Sequence, residues 1–194
     1  MKQDIILAGV GGQGILSIAT VIGSAALQQG LHLKQAEVHG MSQRGGDVQS
    51  TLRISSEPIF SDLVPLGKAD MIASLEPMEA LRYLPSLAPD GWIITNTTPL
   101  VNIPDYPDME VLKAELARLP HVVALDADTI ARDLGSPRSA NMVLLGAMAA
   151  MLHVLDPEKL REGIRRIFAR KGEAIVLSNI KAFDAGLQVS LESK

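Results

Sequence analysis

The sequence predicts an α/β fold: a mostly parallel, Rossmann-like sheet with helices on both faces and additional C-terminal helices. Three observations carry that prediction. Strand-like and helix-like apolar runs alternate along most of the chain, which is the pattern of a parallel sheet covered by helices. The first of these runs breaks into a glycine turn and resumes as an apolar helix, "IILAGVGGQGIL". After Gly135 the strand signals stop and only helical periodicity remains.

The elements follow in order. "DIILAG" reads as a first strand and "GILSIATVIGSAALQQG" as a helix that is apolar almost all round (Ile15, Leu16, Ile18, Val21, Ile22, Ala25, Leu27), which suits burial against the sheet. "HLKQAEV" and "DVQSTLRIS" read as further strands, "DMIASLE" as a strand before the helix "PMEALRYL", and "GWIITN" as a strand before an irregular stretch and the helix "MEVLKAELARL". "HVVALDA" then leads into "DTIARDLG". In "SPRSANMVLLGAMAAMLHVLDP", Ser136 as N-cap and Pro137 at the first helical position start a helix, and no permanently charged residue occurs from Ser139 to Leu155. Too short and too polar (Asn141, Gly146, His153) for a membrane span, this segment predicts either a buried helix or a subunit interface, and with the latter a homodimer of the isolated chain. Asp156 and Pro157 start an amphipathic helix, and "EAIVLSNIKAFDAGLQVSL" forms the last one. With 194 residues and no linker, a single domain over 1–194 is expected.

Composition narrows the function. Apolar residues make up 47%, charged residues 21% and aromatic residues only 3%, so the core is built from Ala, Val, Ile, Leu and Met. A net charge of −4 without a Lys/Arg run argues against a nucleic-acid surface, and the late bases Arg161, Arg165, Arg166, Arg170 and Lys171 read as a solvated helix face. Neither a signal peptide nor a membrane span is indicated, and the expected compartment is the cytoplasm. The absence of cysteine excludes disulfides, a thiolate nucleophile and an iron–sulfur cluster held by this chain's own thiolates. The four scattered histidines show no zinc spacing, so a metal or redox centre belongs on another chain.

Ligands of open α/β sheets bind beyond the carboxyl ends of the strands. Val10–Gly14, His39–Asp47, Glu76, Asn96–Thr98 and Asp126 follow those ends and are expected to share one edge. Gly9, Gly11 and Gly14 fit G-x-G-x-x-G, and Glu37 follows 23 positions after Gly14, where a ribose acid is sought. That pattern leaves open a dinucleotide site, a tight strand-to-helix turn, or a dinucleotide-sensing regulatory domain. In "EVHGMSQRGGDV", Arg44 beside Gly45 and Gly46 offers a cation with backbone N–H groups for an anion, and His39 offers an imidazole able to move a proton; the alternative is a loop merely shaped by its glycines. Asn96 and Asn141 read as a turn former and a buried amide. No Ser-His-Asp order, carboxylate pair or G-K-[ST] pattern is present.

"AGVGGQGIL", "EVHGMSQRGGDVQSTLR", "SLEPMEALRYLP", "NTTPL…IPDYPD" and "ANMVLLGA", in this order over nearly the whole chain, resemble the gamma-type domain of the 2-oxoacid:ferredoxin oxidoreductases. The HGMSQRGG wording is most similar to the small (beta) subunits of the branch acting on indolepyruvate and other aryl pyruvates. The resemblance implies a share in oxidative decarboxylation of a 2-oxoacid with coenzyme A to an acyl-CoA, carbon dioxide and reduced ferredoxin. It implies a large partner subunit holding thiamine diphosphate, Mg2+ and iron–sulfur clusters, with no cofactor held by this chain alone. Gly11, Gly12, Gln13, Gly14, His39, Gln43, Arg44, Gly45, Gly46 and Asn96 are the expected ligand-contacting positions, with Arg44 meeting a phosphate or carboxylate. A stand-alone NAD(P)-binding oxidoreductase is the alternative.

Overall fold

A computed structural model, describing residues 1–40 and 45–192, turns the alternating runs into β1 (Lys2–Val10), α1 (Ile15–Gln28), β2 (His32–His39), β3 (Asp47–Ser55), β4 (Ala69–Ser74), α2 (Pro77–Arg82), β5 (Leu87–Asn96), α3 (Met109–Ala117), β6 (Val122–Leu125), α4 (Ala127–Asp133), α5 (Ala140–Ala149), α6 (Pro157–Phe168) and α7 (Glu173–Glu192). The strands form one sheet in the order β2-β3-β1-β4-β5-β6.

The β1/β4, β4/β5 and β5/β6 pairs are parallel, whereas β3 runs antiparallel to both β1 and β2 and lies between them. A parallel crossover needs a dozen or more residues, and the link from His39 to Asp47 is shorter than that. The chain therefore returns beside β2, which corrects a strict strand–helix alternation while keeping the sheet mostly parallel. Inversion of β3 also brings its first residue to the carboxyl edge: Val10 pairs with Asp47 and His39 with Val48.

Alternate side chains of each central strand enter two cores. Ile5, Leu7, Met71, Ala73, Ile94, Val123 and Leu125 face α1 and the C-terminal helices, while Ile6, Ile72 and Ile93 face α2 and α3. Each fully buried Ile or Leu contributes roughly 1.5–3 kcal/mol of apolar burial. On β3, Leu52 and Ile54 join the larger core, and Thr51 and Arg53 reach the 57–66 loop through hydrogen bonds to the carbonyls of Asp62, Ser61 and Leu63.

The segment after Ser136 opens with a 3-10 turn over Pro137–Ser139 and continues as α5, whose residues 141–149 are all buried. α7 covers it. At their crossing Gly146 and Gly186 meet: a Cβ on Gly146 would lie 1.9 Å from the Phe183 carbonyl oxygen, and one on Gly186 1.8 Å from that of Val143. The apolar helix is thus consumed inside the domain, which removes the ground for a homodimer through it. Asp156 caps α6 as expected, accepting from Glu158 N–H at 2.8 Å, with Pro157 in the first turn. The expected solvated basic face is instead partly paired: Arg161 bridges Glu158 and Asp184, and Arg165 bridges Glu158. Among the described residues no helix is long and apolar enough to cross a membrane.

Candidate functional site at the carboxyl edge of the sheet

β1 ends at Val10, and the chain turns through two glycines with positive φ, Gly12 (103°) and Gly14 (91°), a region that L side chains rarely adopt. The glycines that need their freedom are therefore not all those of the dinucleotide pattern. Gly9 is still strand, where a Cβ would meet the Gln13 Oε1 at 2.9 Å. Gln13 turns inward and braces the turn: its Oε1 accepts from Val10 N–H at 2.7 Å and its Nε2 donates to the Leu75 carbonyl at 3.0 Å. The helix beyond has no side-chain cap at Gly14, so amides of the first turn of α1 face the crest at the positive end of the helix dipole.

The second glycine motif joins the first. Gly11 N–H donates to the Gly46 carbonyl at 2.8 Å, and Gly45 N–H to the Gly11 carbonyl at 3.4 Å. Gly11, Gly12, Gly14, Leu16, Glu37 and His39 line a cavity of about 380 Å³. On the other side of Gly12, a second cavity of about 400 Å³ is lined by Gln13, Asn96, Asp128, Arg138 and Asn141. Asn141, at the start of α5, donates to the Gly14 carbonyl at 3.2 Å. His39 is exposed, its Nδ1 3.1 Å from its neighbour's carbonyl oxygen at Gly40. Gln43 and Arg44 lie outside the described residues.

Asn96 is a rivet. At 1% exposure, its Oδ1 accepts from Ala127 N–H at 3.0 Å, while its Nδ2 reaches Asp128 at 2.7 Å and the Leu75 carbonyl at 3.3 Å. It ties β5 to the ends of β4 and the start of α4 below the second cavity. Asp126 caps α4, and the hydrogen bond from Thr129 N–H, with that from Thr98, holds its carboxyl below the usual carboxylate range.

Three more residues complete the edge: Glu76, one of the expected strand-end positions, and Asn102 and Tyr106, which sequence reading did not single out. Glu76, fully buried, caps α2 through Glu79 N–H at 2.9 Å, and its other oxygen accepts from the Tyr106 hydroxyl and from Leu100 N–H at 3.4 Å. Burial, reinforced by the Glu76 carboxylate, raises Tyr106 well above the ordinary phenol range. Asn102 Nδ2 donates to the Gly45 carbonyl at 2.8 Å. The available signal for Glu76 and Tyr106 was the stretches "SLEPMEALRYLP" and "IPDYPD"; Asn102 lies just before the second, where no signal marked it. Around this polar crest stand exposed apolar side chains, Leu16 (44%), Val38 (64%), Val101 (67%) and Ile103 (42%), an arrangement typical of a surface meant to be covered.

The order β2-β3-β1 matters for the dinucleotide reading. Glu37 borders the first cavity, but β3 separates its strand from β1, so two strand spacings, about 10 Å, intervene where the dinucleotide pattern has one. Among the described residues no group of three or more His, Cys, Asp or Glu could hold a metal ion, and the sequence contains no cysteine for a cluster. The fold and edge define a Rossmann-like α/β domain with a glycine-built surface at the carboxyl edge of its sheet.

Comparison with known proteins gives that class a family. The chain belongs to the pyruvate ferredoxin/flavodoxin oxidoreductase family, which matches residues 4–189. It is 38% identical to the indolepyruvate oxidoreductase subunit IorB of Pyrococcus horikoshii, over 99% of this chain and 98% of that one. The gamma subunit of a keto/oxoacid ferredoxin oxidoreductase from Geobacter sulfurreducens superposes with a TM-score of 0.72 at 25% identity, covering 98% of this chain and 99% of that one. The same fold recurs inside a longer polypeptide, the 2-oxoglutarate:ferredoxin oxidoreductase of Magnetococcus marinus (TM-score 0.77, 24% identity), where 98% of this chain covers 31% of that one. The chain is accordingly a small, gamma-type subunit of a 2-oxoacid:ferredoxin oxidoreductase. These likenesses lend no support to a stand-alone NAD(P) enzyme.

Proposed function

We propose that the crest formed by Gly11–Gly14 and His39–Gly46 completes the active-site cleft of a larger partner subunit and receives an anionic group of coenzyme A or of the 2-oxoacid. The observation that carries this reading is the Gly11–Gly46 hydrogen bond, which makes one surface of two separated glycine motifs at the edge where α/β sheets bind ligands. The uncapped start of α1 supplies donors and a positive dipole end, and Arg44 supplies the cation. The apolar rim of Leu16, Val38, Val101 and Ile103 is the part that docks on the partner.

The chemistry belongs to aryl 2-oxoacids such as indolepyruvate, as in the relative from Pyrococcus horikoshii, with reduced ferredoxin as the electron product. Thiamine diphosphate, Mg2+ and iron–sulfur clusters reside on the partner. This chain's residues do not fit a cluster, for it offers no thiolate, and no step is assigned through such a group here.

Arg44→Ala in the holoenzyme tests the reading. A raised KM for coenzyme A or for the 2-oxoacid, in a complex that still assembles, is expected. Unaltered kinetics in an intact complex overturn it, as does a chain that purifies without a cysteine-rich, thiamine-binding partner and gains thermal stability from NAD.

A further inference from the structure

We infer that Glu76 is a positioning residue for the crest: through Tyr106 and Leu100 it fixes the 97–108 segment, and through that segment's Asn102 it fixes the Gly45 end of the crest loop. The inference rests on the proposed reading only in taking the crest to face a ligand.

A carboxylate with no solvent exposure is costly unless its oxygens find donors. Glu76 has three: Glu79 N–H, Leu100 N–H and the Tyr106 hydroxyl. The last two come from the 97–108 segment, which contains neither helix nor strand between β5 and α3. An irregular stretch of this length is uncommon in a compact domain and takes its shape from its fixings. At its ends, Thr97 N–H donates to the Leu125 carbonyl at 3.0 Å, and Asp108 caps α3. In its middle the fixings are Leu100 and Tyr106, both on Glu76, and Asn102 sits between them. Asn102 reaches Gly45 at 2.8 Å, and Gly45 and Gly46 in turn hold Gly11. Two sets of hydrogen bonds, joined by the backbone between Leu100 and Tyr106, thus connect a buried carboxylate behind the sheet edge to the glycine turn. A phenol is protonated at neutral pH, so the Tyr106 hydroxyl is a donor there.

The test uses Tyr106→Phe and Asn102→Ala, singly and together, in the complete enzyme. Amide hydrogen exchange at Gly45, Gly46 and Gly11 is expected to rise about tenfold in each, the effect of one lost hydrogen bond. The double variant should match the larger single effect, because both changes release the same segment. The KM for coenzyme A should rise several-fold with kcat within about twofold, the signature of lost positioning rather than lost chemistry. Unchanged exchange in either single variant, or a double effect equal to the product of the two, overturns the inference. If Tyr106→Phe does not fold, Asn102→Ala decides by the same exchange and kinetic measurements. Faster exchange with unaltered constants for coenzyme A and 2-oxoacid sustains the positioning role and overturns instead the reading of the crest as ligand-facing.

Discussion

Replacing Gly186 with Ala places a methyl group 1.8 Å from the Val143 carbonyl oxygen and 3.0 Å from Ala147 N. Both obstacles are backbone, so no rotamer change relieves the clash. α7 must move from α5 by roughly 1.5 Å, and a gap of even 0.5–1 Å forfeits a quarter to a half of each dispersion contact along the opened seam. Val143, Ala147, Ala182 and Phe183 line that seam at 0% exposure. Overpacking ordinarily costs about 1–3 kcal/mol and more against rigid atoms, while Ala regains up to about 1 kcal/mol of helix propensity. The net expectation is about 2–4 kcal/mol of destabilisation, or a melting temperature lower by roughly 5–15 °C for a domain of this size. Thermal and urea denaturation followed by far-UV circular dichroism measure it. Gly23→Ala in α1 is the control, since its methyl would meet only the flexible end of Leu33 at 3.0 Å, and its effect should stay within about 1 kcal/mol. A Gly186→Ala protein melting within 2 °C of the parent, roughly the equivalent of 1 kcal/mol or less, would refute the packing argument.

Two further outcomes follow from the edge. Asn96→Ala strands the Ala127 N–H and removes the Asp128 partner in a buried setting, for an expected loss of about 2–3 kcal/mol in urea denaturation; a loss under about 1 kcal/mol would mean that water replaces the side chain. Asp126→Ala removes the α4 cap at about 1 kcal/mol near pH 7. Because the folded-state carboxyl lies below its ordinary value, that contribution is complete above the unfolded pKa and fades as pH falls through the folded one. The stability difference between parent and variant should therefore be flat from pH 6 to 8 and shrink below about pH 4; a difference that grows on acidification contradicts the cap assignment.

Element type was readable where local chemistry decides it. Asp156 and Pro157 announced α6, and the alternation of strand-like and helix-like runs foretold a sheet covered on both faces, which Ile5 and Leu7 on one side and Ile6 on the other now fill. Direction was another matter, since a period of two is the same in either sense. Only the length of the connection after His39 distinguishes a hairpin return from a crossover. The fate of α5 was likewise closed to a reading of α5 alone: its cover depends on Gly186 forty positions later matching Gly146. At the site, the glycines and Asn96 were legible as strand-end residues, but an amide that binds a ligand and one that rivets two strands look alike in sequence. Asn96 and Gln13 proved to spend their side chains inward. Glu76 was legible as a strand-end residue, but its partner Tyr106 and the Asn102 contact to Gly45 were hidden, because they are made by tertiary contact across 30 and 57 residues.

The inverted β3 has a consequence for how members of such a family can diverge. The segment between His39 and Asp47 leaves one strand and enters the next, and the pair His39–Val48 holds its two feet at the spacing of neighbouring strands. Doubling the length of a span anchored this way costs only about 0.6 kcal/mol in closure entropy. Such a change does not slip the register of β2, β3 or β1. The sheet acts as a socket whose shape does not depend on the length of the segment it holds.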